Sequence, residues 1–296
     1  MKRFLPMTLV LLGCFNPDFT QKSCSSDSAC PTALGYSCVA GRCAQGGSNT
    51  VVDLAPDPRP TRVEVEVRHA GSFYVGTSAT DGFNDTPTYI RSVPSPYFLD
   101  EREVTVADYR ACVTAQVCTA PVTGTFGTQG WVCTYGRVGK DNHPVTCVTK
   151  TQAEAFCTWM GRRLPTEVEW EYAALGNTGM SGQRLVLPGV LGGNACWNMT
   201  ATCPTGSYSN AKTYLGQVVT TDQPGFYDLL GNAYEKTSSP FCTYPAETCT
   251  TDKFSIRGGS GFDNDLRFSK ATARLPSPAA EYYPNTGFRC ARNSKP

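Results

Sequence analysis

Fifteen cysteines among 296 residues, against only two histidines, His69 and His143, constrain this chain more than any other feature. Such a density of thiols is hard to keep inert in a reducing cytosol, whereas an exported chain can oxidise them into a framework. No Cys-x-x-Cys pair occurs, and two histidines supply little for a tetrahedral set, so a structural zinc site is not expected. Cys24, Cys30, Cys38 and Cys43 fall within twenty positions, and ten more cysteines follow residue 100. With Cys14 set apart, fifteen less one leaves fourteen, an even number that can pair throughout.

Cys14 is set apart by what precedes it. Lys2 and Arg3 lead into the greasy run from Phe4 to Leu12, which ends in Gly13 and Cys14. A membrane-spanning helix needs about 20 apolar residues, so this start reads as a cleaved export signal. Leu11-Leu12-Gly13-Cys14 resembles the bacterial lipobox, which makes Cys14 the expected acylated first residue and the membrane contact. The expected location is exported and lipid-anchored, at the outer membrane or cell surface. Residues 1–13 are then the signal, 14–23 a tether and 24–43 a small Cys-rich module. Lacking large apolar side chains, that module must be stapled, by two disulfides whose connectivity stays open. Residues 44–62 form a linker, flexible at Gly46-Gly47-Ser48 and stiff at Pro56, Pro58 and Pro60. A net charge of +1 and no basic run after the signal argue against nucleic acid as a partner.

From residue 63 to 296 the pattern is that of one larger domain. Val63, Val65 and Val67 alternate with Glu64, Glu66 and Arg68, a half-buried strand, and Gly71 to Gly76 reads as its hairpin partner. Helices are expected from Thr105 to Val113, from Thr149 to Met160, and after the capping box that opens at Thr166. Beyond Ala174 about 100 residues rich in Gly, Pro, Asn and Thr read as loops, whose ends cysteines would fix.

Seven ordered strings resemble the formylglycine-generating (sulfatase-modifying factor) family. They are Gly71-Ser72-Phe73-Tyr74-Val75-Gly76; Pro96-Tyr97-Phe98-Leu99-Asp100-Glu101-Arg102-Glu103-Val104-Thr105; His143-Pro144-Val145; Ala155-Phe156-Cys157-Thr158-Trp159 running into Gly161-Arg162-Arg163-Leu164-Pro165-Thr166-Glu167-Val168-Glu169-Trp170-Glu171; Gly225-Phe226-Tyr227-Asp228-Leu229-Leu230-Gly231-Asn232-Ala233-Tyr234-Glu235; Arg257-Gly258-Gly259-Ser260; and Gly287-Phe288-Arg289-Cys290-Ala291-Arg292. The resemblance implies an α+β, C-type-lectin-like fold, disulfide-rich and low in regular secondary structure, usually with bound calcium. It implies a disulfide between Cys157 and Cys290. Proximity alone suggests Cys112 with Cys118, Cys133 with Cys147, Cys196 with Cys203, and Cys242 with Cys249. It also implies a calcium loop made of main-chain oxygens at Gly231 and Ala233 and the Glu235 carboxylate, although Glu235 paired with an arginine is the competing reading.

Against this background the family's chemistry is missing. The oxidase uses copper(I) held by two thiolates five residues apart, just after the Arg-Gly-Gly-Ser string; here Asp263 and Phe268 stand at those positions, beside Ser260, and neither is a soft ligand. No cysteine lies between Cys249 and Cys290. Lys236 replaces the tryptophan that lines the family's oxygen pocket. Copper is therefore not expected, and the expected function is a non-catalytic one, the binding of a protein or glycan ligand at the envelope. The alternative is an oxidase acting on a sulfatase cysteine, or another enzyme working in the same cleft. Phe262, Arg267, Phe268, Arg274, Tyr282 and Tyr283 are the candidate ligand-facing residues, since aromatic and Arg side chains on loops are common recognition anchors; the competing reading places these rings in the core.

Overall fold

The computed structural model describes residues 36–39, 42–45, 57–68, 71–77, 85–93, 96–126, 130–176, 195–208, 212–245, 248–265, 267–268 and 270–294. The chain divides into two units, Met1–Asp57 and Pro58–Pro296. In the first, strands β1 (Tyr36–Val39) and β2 (Arg42–Gln45) pair antiparallel with Cys38 opposite Cys43. The expectations for the signal, Cys14, Cys24, Cys30, the side chains of Cys38 and Cys43, and His69 lie outside the described residues.

The second unit starts with β3 (Glu64–Val67), β4 (Gly71–Val75), β5 (Tyr89–Val93) and β6 (Tyr97–Asp100). Strand β3 does alternate, burying Val65 and Val67, but it pairs with β6, and β4 pairs with β5. The expected hairpin between residues 63–67 and 71–76 is thus replaced by two separate pairings, and Val63 stays exposed. Helix α1 (Val106–Thr114) follows, then the short strands β7 (Thr125–Phe126) and β8 (Trp131–Val132), and helices α2 (Lys150–Trp159) and α3 (Glu167–Leu175). Each helix starts on a threonine, Thr105, Thr149 and Thr166, whose hydroxyl accepts the N–H three residues on while the side chain there, Asp108, Gln152 or Glu169, returns the bond. Among the described residues no helix is long and apolar enough to cross a membrane.

The remainder is β9 (Thr213–Tyr214), β10 (Gln217–Val218), the long pair β11 (Tyr234–Thr243) and β12 (Thr248–Arg257), then β13 (Leu275–Pro278), β14 (Thr286–Gly287) and β15 (Ala291–Arg292). Strands β13, β12, β11 and β14 make one sheet, and β15, β6 and β3 another. The β11–β12 hairpin falls in the stretch read as loops. Its sequence hides the period-2 signal because the inward side chains are polar: Glu235, Thr237, Ser255 and Arg257 are fully buried.

Two apolar clusters fill the unit. One gathers Val65, Val67, Phe73, Leu99, Trp170 and Leu229, the other Val104, Tyr109, Phe156, Leu164 and Phe288. Bridges join Cys112 to Cys118, Cys133 to Cys147, Cys157 to Cys290, Cys196 to Cys203 and Cys242 to Cys249. These are the pairs that resemblance and proximity suggest.

Candidate functional site

The loop that carries Ser260 begins where β12 ends. Gly258 has φ of +95°, and a Cβ there would stand 2.8 Å from the Leu229 carbonyl oxygen, so only glycine lets the strand turn this close to its neighbour. Ser260 is fully buried, and both its amide N (2.7 Å) and its hydroxyl (3.0 Å) donate to one Asp263 carboxylate oxygen. Burial raises the Asp263 carboxyl above the ordinary aspartate range, partly offset by the Tyr234 hydroxyl bonded to it. The disulfide-closed loop from Cys196 to Cys203 is laced onto the same turn: the amides of Asn198 and Met199 donate to the carbonyls of Asp263 (3.0 Å) and Gly261 (2.6 Å).

At the two positions where the family's thiolates belong there are thus a carboxylate already committed to Ser260 and Tyr234 and the half-buried ring of Phe268. Copper(I), a soft ion, finds no soft donor in this pair. Lys236 does not open the cleft either. It is buried in a narrow pocket lined by Lys150, Phe254, Ile256, Ser277 and Pro278, and its amine donates to the Glu281 carbonyl at 3.2 Å. Burial pushes this lysine down to about 8.

Glu235 is paired with Arg289, the arginine arrangement weighed against a calcium ligand. One of its oxygens accepts from Arg289 Nε (2.7 Å) and Trp170 Nε1 (2.8 Å), and the other from Arg289 Nη2 (2.6 Å), all fully buried. These donors take three of the carboxylate's roughly four acceptor positions. The arginine pairing weighed against the oxygen cage at Gly231, Ala233 and Glu235 is present in this structure. Nearby, Glu103 accepts from Asn232 Nδ2 (2.6 Å) and the Ala233 amide (3.1 Å), and Asp228 accepts from the Gly206 amide (2.6 Å). Sequence reading missed Glu103, Asp228 and Arg289 as a unit; the one signal was that charges sit inside otherwise apolar strings such as Gly287-Phe288-Arg289-Cys290.

Burial, and to a lesser degree the Glu235 charge, pushes the Asp228 carboxyl up to about 6, while Arg289 pulls the other way. A carboxyl raised in the fold contributes stability fully below its unfolded value, and that contribution is lost as pH rises through about 6. We expect an Asp228→Asn variant, whose amide oxygen still accepts the Gly206 N–H, to gain roughly 1–3 kcal/mol on the wild type between pH 4 and pH 7, with buried Glu103 sharing in the change. His143, pushed down to about 4 by burial and by Lys140, loses stability in the opposite direction as pH falls, but equally in both proteins. Paired melting curves across that range measure the difference.

Of the ligand-facing candidates, Arg274 moves to the interior. It is fully buried, its Nε and Nη2 donate to the two oxygens of Glu167 at 2.6 and 2.7 Å, and it stacks 3.7 Å from the Tyr244 ring centre. The buried β11–β12 hairpin needs an inward cation there, which sequence alone could not show. Arg267 is exposed and forks onto Asp265, and Tyr283 is 37% exposed. Phe262 packs on Trp131 with ring centres 5.2 Å apart, and Tyr282 meets Phe126 edge-on at 5.8 Å. Phe126 and Trp131 are cross-strand partners in β7–β8. The β7–β8 pairing thus brings two half-buried ring pairs, Phe262 with Trp131 and Tyr282 with Phe126, to one hairpin near the Ser260 turn. Two-residue strands carry no periodicity, which is why Phe126 and Trp131 escaped notice.

The model of the sulfatase-modifying factor enzyme 1-like domain matches residues 51–294. The formylglycine-generating enzyme of Streptomyces coelicolor is 28% identical over 81% of this chain and 92% of its own. The inactive C-alpha-formylglycine-generating enzyme 2 of Bos taurus is 31% identical over half of each chain. Among solved structures, PvdO from Pseudomonas aeruginosa superposes with a TM-score of 0.60 at 20% identity, over 77% of this chain and 93% of that one. At such identity the superposition speaks for the fold alone, but the match of the domain model, running from before β3 to after β15, speaks for descent: this chain belongs to the sulfatase-modifying factor enzyme 1-like family.

Proposed function

We propose that this chain is a lipid-anchored envelope protein whose sulfatase-modifying-factor domain performs no oxidation and instead holds a protein or glycan ligand. The observation that carries this reading is the pair Asp263 and Phe268, the first bound to Ser260 and the second an apolar ring, where soft metal ligands would be required. A fold is only a scaffold, and function follows the groups in the site. What the scaffold offers here is a loop surface pinned by disulfides, with half-buried rings near the Ser260 turn. Lipid at Cys14 and the Pro-containing linker would hold that surface away from the bilayer.

Incubating the full chain with copper(I), oxygen and a Cys-x-Pro-x-Arg peptide should leave the peptide mass unchanged, as read by mass spectrometry. Conversion of the cysteine to an aldehyde at multiple turnovers would put the oxidase in its place.

A further inference from the structure

The two ring pairs narrow the ligand class, and this inference rests on the binding reading above. We propose that Phe262, Trp131, Phe126 and Tyr282 form a subsite series for an uncharged oligosaccharide. The rings do not make a flat apolar plate: the planes of Trp131 and Phe262 are tilted by 51° and those of Phe126 and Tyr282 by 78°. All four are half-buried, which leaves narrow strips of π-surface where a protein interface would want a continuous, fully desolvated apolar centre. An aromatic face carries negative potential. The C–H bonds on one face of a pyranose carry partial positive charge, and a sugar ring fits such a strip while its hydroxyls point outward.

Those hydroxyls would meet polar groups. Arg267 is already bound to Asp265 through Nε, and the exposed side chains of Asn264 and Glu281 flank Phe262 and Tyr282 in sequence. The internal Asp265–Arg267 pair leaves that loop no net charge to attract an anion, which favours a neutral glycan over a phosphate or an acidic peptide. The series is also ordered before any ligand arrives. Cys133, next to β8, is bridged to Cys147, and the Cys147 amide donates to the Tyr283 carbonyl at 3.0 Å, so one disulfide fixes both halves of the face. Lys236 holds the neighbouring Glu281 carbonyl. Pre-ordered rings reduce the entropy lost on binding.

The test is titration of the full chain with cellotetraose, chitotetraose and mannotetraose by calorimetry and by tryptophan emission. At least one should bind with a change in emission, since Trp131 would lie under the sugar. Trp131→Ala and Phe262→Ala should each weaken binding roughly tenfold or more, Trp131→Phe should keep most of the affinity, and melting curves should show all three folded. No binding by any of the three sugars at millimolar concentration overturns the proposal, as does binding that survives in the Trp131→Ala, Phe262→Ala double variant. A proline-rich peptide that binds in place of the sugars, and is lost in the same variants, overturns the glycan assignment while sparing the non-catalytic binding reading. Oxidation of the Cys-x-Pro-x-Arg peptide would remove that underlying reading itself.

Discussion

A Glu167→Ala variant should lose about 3–5 kcal/mol of stability and melt roughly 10 °C below the wild type. Glu167 starts α3 and reaches into the space between α3 and the β11–β12 hairpin, where two arginines are fully buried. Arg274 donates to both of its oxygens, Arg257 approaches one of them at 3.4 Å, and Arg257 also pairs with Glu171. Two cations and two anions balance with little water access. Removing Glu167 strands the Arg274 guanidinium against the Tyr244 ring and the Cys242 carbonyl, and an uncompensated buried charge costs far more than the intact pair contributes. Changing both partners, Glu167→Gln with Arg274→Met, should therefore destabilise by less than the two single changes added together. Calorimetric or circular-dichroism melting of the four proteins reads this coupling. Additive losses would show that the pair is not closed in the way described.

The second large effect is expected at Cys157 and Cys290. This bridge closes 133 residues, whereas the Cys112–Cys118, Cys196–Cys203 and Cys242–Cys249 bridges close 6 or 7. In the chain-entropy picture the long loop is worth about 5 kcal/mol and each short one about 2. The bridge also anchors more than itself. Cys290 precedes β15, its amide donates to the Asp100 carboxylate at 3.0 Å, and its carbonyl accepts the Asp100 amide at 2.9 Å. Asp100 in turn takes the Arg62 and Arg162 side chains. Cys157→Ala with Cys290→Ala should thus lower the denaturant midpoint by more than twice the shift seen for Cys112→Ala with Cys118→Ala. Equal shifts would contradict the loop-length account.

What could be read from the sequence follows the range of the forces involved. The three helices were legible at Thr105, Thr149 and Thr166 because capping is local, settled within four residues. The β3 strand was legible from its alternation, but its partner was not: β6 lies some thirty residues on, and nothing in Val63 to Val67 names it. The β11–β12 hairpin was invisible because its core side is a charge network, and a buried Glu or Arg looks in sequence like a solvated one. The same blindness placed Arg274 on the ligand face. In the candidate site, the absence of cysteines at 263 and 268 needed no coordinates, since an absent atom type is a property of the sequence itself. The ring pairs needed them, because Phe126, Trp131, Phe262 and Tyr282 converge from three separate segments.

Our proposal that Asp263 and Phe268 do not hold copper(I) is most directly tested by competing the protein against a tight copper(I) chelator. The wild-type chain should leave all copper with the chelator, while the variant carrying both Asp263→Cys and Phe268→Cys, reduced under conditions that spare the buried bridges, should draw one copper(I) per molecule. A wild-type protein that takes up one equivalent, and loses it when Asp263 is replaced by alanine, would contradict the claim.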